Sequence, residues 1–286
     1  MKNDNFHSNN IYVSELLLKV QDINRAKEFY QSIMGFKILK DSPSQVQLTA
    51  NGKDPIISLI EPDNVKVKAG RRTGLYHIAI LLTDKIQLGL FLKNLKDKSY
   101  PIVGGSNHGV SNALYLQDPD DNGIEVYADL DSNQWKRNDK EVEMVSLPLD
   151  YESLISNTGD KVWQGAPSNT IIGHIHLHVR DLDEADKFYI EGLGMDLVSR
   201  AGRSASFYSS KGYHHHIAAN IWNGRGSPPL DQDSVGMKHY TIKFPNEKLL
   251  KDTFNRIKEQ GYESFEDDGD IFVADPSSNL IKFSLS

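Results

Sequence analysis

Ser14–Leu39 reads SELLLKVQDINRAKEFYQSIMGFKIL, and Gly173–Val198 reads GHIHLHVRDLDEADKFYIEGLGMDLV. Laid over one another, the two stretches share L-x-V-x-D-[IL], a following segment with Ala and Phe-Tyr, and a closing glycine. Each opens with a short alternating run, which predicts a strand. Asp22 and Asp181 then offer N-caps, and apolar residues follow at helical spacing (Ile23, Ala26, Tyr30 and Ile33 in the first copy). A second pair of copies follows the first. Tyr76–Asp84, YHIAILLTD, matches Lys238–Asn246, KHYTIKFPN, and Tyr115–Tyr127, YLQDPDDNGIEVY, matches Phe272–Ser284, FVADPSSNLIKFS. The chain is therefore duplicated, and each half holds two smaller units.

Every unit reads as strand, helix and three short strands. Phe91, Leu92 and Leu95 mark the second helix, and Gly35, Gly192 and Gly261 are expected C-caps. The predicted class is α+β, with four βαβββ modules. Residues 11–129 hold modules one and two, and residues 171–286 hold modules three and four. Residues 130–170 are charged and broken by Pro148, Gly159 and Pro167, which predicts a linker with some local structure.

The 286 residues carry a net charge of −7 with both signs interspersed, which argues against nucleic acid or an anionic membrane as main partner. No run approaches the ~18 apolar residues of a membrane span, and the polar start lacks a signal-peptide core, so a cytoplasmic protein is expected. Zero cysteines exclude disulfides and thiolate chemistry, and ten histidines leave His and carboxylates as the available metal ligands.

Four such units with H-x-x-L-x-V-x-D openings and D-P-x-x-N-x-x-E endings resemble the glyoxalase/bleomycin resistance/extradiol dioxygenase superfamily, the vicinal oxygen chelate group. Gly104–Tyr127, GGSNHGVSNALYLQDPDDNGIEVY, and Gly212–Trp222, GYHHHIAANIW, are similar to the catechol 2,3-dioxygenases of bacilli. The resemblance implies two mixed-sheet barrels, each built from two modules. It also implies one metal ligand from a module's first strand and another from its last. At those positions module one offers Glu15 and Ser58, module two His77 and Glu125, and module three His174 and the run His214-His215-His216. Module four offers His239 and Lys282, and a protonated Lys282 would repel a divalent cation.

Pairing module two with module three yields His77, His174 and Glu125, a two-His-one-carboxylate set that leaves open faces on Fe(II). The resemblance gives His108 and Tyr115 as residues behind the metal, and His216 (or His215) as the acid–base group. Module four has Phe265 and Phe272 where module two has His108 and Tyr115, so modules one and four are expected to be structural. His176 and His178 share a strand face with His174 and are expected to be non-ligands. His214, His239 and Glu15 are further candidates, and Trp222 is expected to pack rather than to line a pocket. The implied activity is extradiol cleavage of a catechol- or hydroquinone-type aromatic by O₂ with Fe(II); Mn(II) would suit the same ligands, and Zn(II) could bind them but would not support O₂ activation. Four modules complete both barrels in one chain, so a monomer or homodimer is expected. A glyoxalase-type isomerase or lyase would need a second carboxylate such as Glu15. A metal-free binding or resistance protein is the other alternative.

Overall fold

A computed structural model describes residues 4–7, 9–139 and 141–286. After a short helix α1 (Asp4–His7), module one comprises β1 (Tyr12–Lys19), α2 (Ile23–Ser32), β2 (Lys37–Ser42), β3 (Gln45–Thr49) and β4 (Ile57–Ile60). Module two comprises β5 (Gly74–Leu81), α3 (Lys85–Asp97), β6 (Gly104–Asn107), β7 (Ser111–Gln117) and β8 (Gly123–Asp129). The segment between the halves adds β9 (Arg137–Asn138), β10 (Glu141–Val142), β11 (Leu147–Pro148) and α4 (Tyr151–Ser156). Module three comprises β12 (Ile171–His178), α5 (Leu182–Asp186), β13 (Asp196–Ala201), β14 (Ala205–Ser209) and β15 (Ile217–Asn220). Module four comprises β16 (Gly236–Phe244), α6 (Glu247–Glu259), β17 (Ser264–Asp267), β18 (Asp270–Ala274) and β19 (Leu280–Leu285).

Within each module the first strand pairs in parallel with the last (β1 with β4, β5 with β8, β12 with β15, β16 with β19). A parallel pair needs a long crossover, and the helix supplies it. Each major helix starts on a side chain that accepts backbone N–H groups: Asp22, Asp84, Asp181 and Asn246. Gly35 and Gly261 take left-handed conformations where C-caps are expected. In module three the expected C-cap, Gly192, instead lies inside a π-helical turn over Lys187–Gly192. The left-handed residue there is Gly194, which is the counterpart of Gly35 in the duplicated alignment.

Modules pair across the duplication. Modules four and one form an eight-stranded sheet of order β17-β18-β19-β16-β1-β4-β3-β2, joined by the antiparallel pair β1–β16. Modules two and three form a nine-stranded sheet of order β11-β6-β7-β8-β5-β12-β15-β14-β13, joined by antiparallel β5–β12. Neither half of the chain closes a sheet alone. One contiguous apolar core runs beneath both sheets, from Leu16 and Leu48 to Ile175 and Phe244.

The D-P-x-x-N turns have a structural meaning in this frame. Asp118 accepts from the backbones of Asp120 and Asn122, from Asn122 Nδ2, and from the Tyr30 hydroxyl of module one at 3.0 Å. Asp275 repeats the arrangement with Ser277, Asn279 and the Tyr189 hydroxyl of module three at 2.8 Å. Each turn thus closes one module and ties it to its neighbour in the chain. Among the described residues, no helix is long and apolar enough to cross a membrane.

Candidate metal centre

Three adjacent strands of the nine-stranded sheet place the candidate ligands. β5 lies between β8 and β12, and Ala79 of β5 is opposite Glu125 on one side and His174 on the other. Residues opposite one another share a face, and so do residues two apart along a strand. His77, two before Ala79, therefore joins Glu125 and His174 on one face, and the Ala79 methyl leaves room beneath them.

The ligating atoms converge. His77 Nε2 lies 3.0 Å from Glu125 Oε2 and 3.4 Å from His174 Nε2, and His174 Nε2 lies 3.3 Å from Glu125 Oε2. Cis ligands about 2.1–2.2 Å from an octahedral ion stand about 3.0 Å apart, and tetrahedral ligands about 3.4 Å apart. The observed edges fall in that interval, so the three donors fit a divalent cation without rearrangement. All three residues are buried. Burial alone would raise the Glu125 carboxyl, but the imidazoles of His174 and His77 outweigh it and hold the group well below its usual range. Burial lowers His174 to about 4, against the opposing pull of Glu125. An ionised carboxylate beside a neutral imidazole is the state a cation requires.

The cluster opens into a cavity of about 480 Å³ walled by Tyr76, Phe207, Trp222, Met144 and His176. His108 and Tyr115 also face it. Tyr115 stands opposite Glu125 in the β7–β8 register, and its hydroxyl lies 2.7 Å from His108 Nε2. His108 Nδ1 lies 2.8 Å from the Val145 carbonyl. Nδ1 must donate to that carbonyl, so in the neutral ring Nε2 accepts the Tyr115 proton. Burial, then the Glu125 charge, pushes the Tyr115 hydroxyl well above its ordinary range, and it stays protonated.

The members of the triple-histidine run turn in different directions. All three residues are buried. His215 faces the cavity, its ring 4.0 Å from that of His174. His216, the expected acid–base residue, is turned to the other side, where its Nε2 lies 3.0 Å from the Phe6 carbonyl and its ring packs on Tyr213. His214 contacts Asp129. Residues 214–216 precede β15 in an irregular bend, and of the three only His215 lines the cavity.

His239 and Glu15 lie in the other sheet. Glu15 is hydrogen-bonded to Ser58, and His239 packs on Phe272 in β18. His178 is bound to Asn220. Trp222, expected as packing, is also a cavity wall and stands against Tyr76 and His176. Sequence reasoning missed Met144 and Val145, which the interdomain segment delivers because β11 adds to the sheet edge beside β6. It also missed Asp129 and Phe6, whose contacts bridge more than eighty residues of chain.

The sequence pattern of the Glyoxalase/Bleomycin resistance protein/Dioxygenase superfamily matches residues 13–126 and 171–283. The chain is 44% identical over 265 residues to a catechol-2,3-dioxygenase of Bacillus subtilis (strain 168), covering 91% of this chain and 92% of the relative. Among solved structures, a putative dioxygenase from Bacillus subtilis superposes with a TM-score of 0.70 at 12% identity, over 97% of this chain and 86% of that one. Glyoxalase I from Zea mays gives 0.59 at 17% identity, over 96% and 92%. These two likenesses speak to the fold.

Proposed function

The chain belongs to the glyoxalase/bleomycin resistance protein/dioxygenase superfamily, and from that premise we propose that it is an Fe(II)-dependent extradiol dioxygenase acting on a catechol- or hydroquinone-type aromatic. The observation that carries the reading is the buried His77–Glu125–His174 triangle opening on an aromatic-walled cavity. The 44% identity to a catechol-2,3-dioxygenase supports the same activity. Glyoxalase-type isomerisation would need a second carboxylate at the metal, and Glu15 is in the other sheet, engaged by Ser58.

His77, Glu125 and His174 would hold the ion, which when bound supplies Lewis acidity to the diol and electrons for O₂. The chain's own groups do the rest. Tyr76, Phe207 and Trp222 sandwich the substrate ring and exclude water from the open side of the triangle. Tyr115 donates its hydrogen bond to His108, so its oxygen lone pairs are free to accept a substrate hydroxyl. The Val145 carbonyl fixes the His108 ring in the orientation that makes this possible. His215 is the proton carrier: burial, reinforced by the neighbouring histidines, holds its imidazole well below the usual range, so it meets the diol neutral and able to take a proton. All these groups come from one chain, so no partner subunit is needed to complete the site.

The test is anaerobic loading with Fe(II), followed by O₂ and a panel of catechols and hydroquinones. O₂ uptake matched by a yellow ring-opened product is expected. Tight metal with no uptake on any diol would contradict the reading.

A further inference from the structure

His215 is the last member of a buried line of hydrogen-bonding groups that reaches back to a carboxylate. Asp129 Oδ1, at the end of β8, lies 3.0 Å from His214 Nε2, and His214 Nδ1 lies 2.9 Å from His215 Nδ1. The other Asp129 oxygen accepts the Tyr213 hydroxyl at 3.0 Å, and Tyr213 in turn lies 2.7 Å from the Tyr127 hydroxyl. His214 is almost wholly buried and boxed by the rings of Tyr213, Trp135 and Tyr127. Among the described residues, its two nitrogens are hydrogen-bonded to Asp129 and His215 alone.

Donor direction follows from this geometry. A carboxylate only accepts, so His214 Nε2 carries a proton toward Asp129. A second proton on Nδ1 would create a cation against His174, beside the very group that faces the metal position. His214 Nδ1 therefore presents a lone pair, and His215 Nδ1–H donates to it. In a neutral imidazole the remaining nitrogen then has no proton.

We propose that Asp129 and His214 are positioning residues that hold His215 in the Nδ1–H tautomer, so that its Nε2 meets the substrate as a base. The inference rests on the dioxygenase reading for its role in catalysis, but not for the tautomer itself. In the proton-transfer step the diol O–H bond breaks, its electron pair stays on oxygen, and a new N–H bond forms at His215 Nε2. The His215 Nδ1–H bond stays intact and its hydrogen bond to His214 shortens as the ring becomes cationic. Asp129 stabilises that charge through His214. The position that matches Asp129 in the duplicated alignment is Ser286, whose side chain is a hydroxyl.

The decisive experiment is long-range ¹H–¹⁵N correlation NMR of the full-length, metal-free chain labelled at histidine nitrogens. His214 and His215 signals would be assigned with H214Q and H215Q variants. His215 is expected as the Nδ1–H tautomer and His214 as Nε2–H. In Asp129→Asn the side-chain amide can donate to His214 Nε2, so both rings should invert and His215 should appear as Nε2–H. Tyr213→Phe, which leaves the line intact, should not invert either ring. A wild-type His215 carrying its proton on Nε2, a doubly protonated His214, or an Asp129→Asn spectrum without inversion would each overturn the proposal. In metal-loaded enzyme, Asp129→Asn should lower kcat about 10–10²-fold with KM and metal content unchanged. Equal losses in kcat and metal content would mean a merely structural role. Because the tautomer is read without metal or substrate, failure of the dioxygenase reading would show as absent turnover alongside an intact tautomer pattern.

Discussion

The two sheets are built on the same plan and differ in what stands at equivalent positions. In the nine-stranded sheet the strand that closes the module carries Glu125, and in the eight-stranded sheet the matching strand carries Lys282, which pairs with Asp270. Where the first places His108 against Tyr115, the second stacks Phe265 on Phe272 with ring centroids 5.3 Å apart. Where the first has His174, the second has Glu15 bound to Ser58. His239 keeps the address of His77, but Lys282 stands where Glu125 would: burial foremost, then the charges of Lys282 and Lys238, outweigh the opposing pull of Asp270 and lower its imidazole to about 4. Backbone topology alone thus does not make a metal site. It needs a carboxylate and two imidazoles at three adjacent strand positions, and only one sheet among the described residues has them.

The largest expected effect separates the sheets outright. His77→Ala, Glu125→Ala and His174→Ala should each abolish diol-dependent O₂ uptake, whereas His239→Ala and Glu15→Ala should retain it within a few-fold. Uptake lost in His239→Ala but kept in His77→Ala would reverse the assignment. Next, His215→Ala should keep its metal and slow kcat by ~10²–10⁴-fold, as for loss of an acid–base group. His216→Ala should spare kcat by comparison and act through stability, because its ring is bound to the Phe6 carbonyl on the far side; stopped-flow turnover of both variants decides between them.

Smaller effects probe what the sheets share. Tyr30→Phe and Tyr189→Phe each remove one hydrogen bond to the buried carboxylate of a D-P turn, and each should cost about 1–3 kcal/mol in urea unfolding. Neither should change metal content; a loss in only one of them would break the equivalence of the two turns. Finally, His239 titrates at about 4 in the folded chain and near its ordinary value when unfolded. Between about pH 6.5 and 4 the unfolded chain takes up a proton that the native one refuses, so this residue destabilises the fold as pH falls through that window. Compared at pH 7 and pH 5, His239→Gln should lose less urea resistance than the unaltered protein. Equal losses would show that His239 is not held neutral.

Much of this was legible in the sequence. The duplication, the N-caps at Asp22 and Asp181 and the four-module plan are local or periodic signals, and strands and helices follow such signals closely. The candidate triangle of His77, Glu125 and His174 was legible because each residue has a fixed place relative to a strand start or a D-P turn. His215 stood only as the alternative to His216, because adjacent histidines match the same motif equally and residues 214–216 lie outside a regular strand. Gly194 was passed over for Gly192, two positions nearer along the same helix. Val145, Phe6 and Asp129 left no mark, since their roles arise from contacts between distant segments and from residue types that are common on any surface. The pairing of module two with module three could be inferred only from a tally of ligands, because the apolar patterns of β1, β5, β12 and β16 are alike.

The most direct test of the central claim is an anaerobic metal titration of the purified chain beside its Glu125→Ala and His239→Ala variants, with bound Fe(II) counted after equilibrium dialysis. One ion per chain is expected in the unaltered protein and in His239→Ala, and none in Glu125→Ala. Two ions per chain, or an ion retained by Glu125→Ala and lost by His239→Ala, would contradict the account.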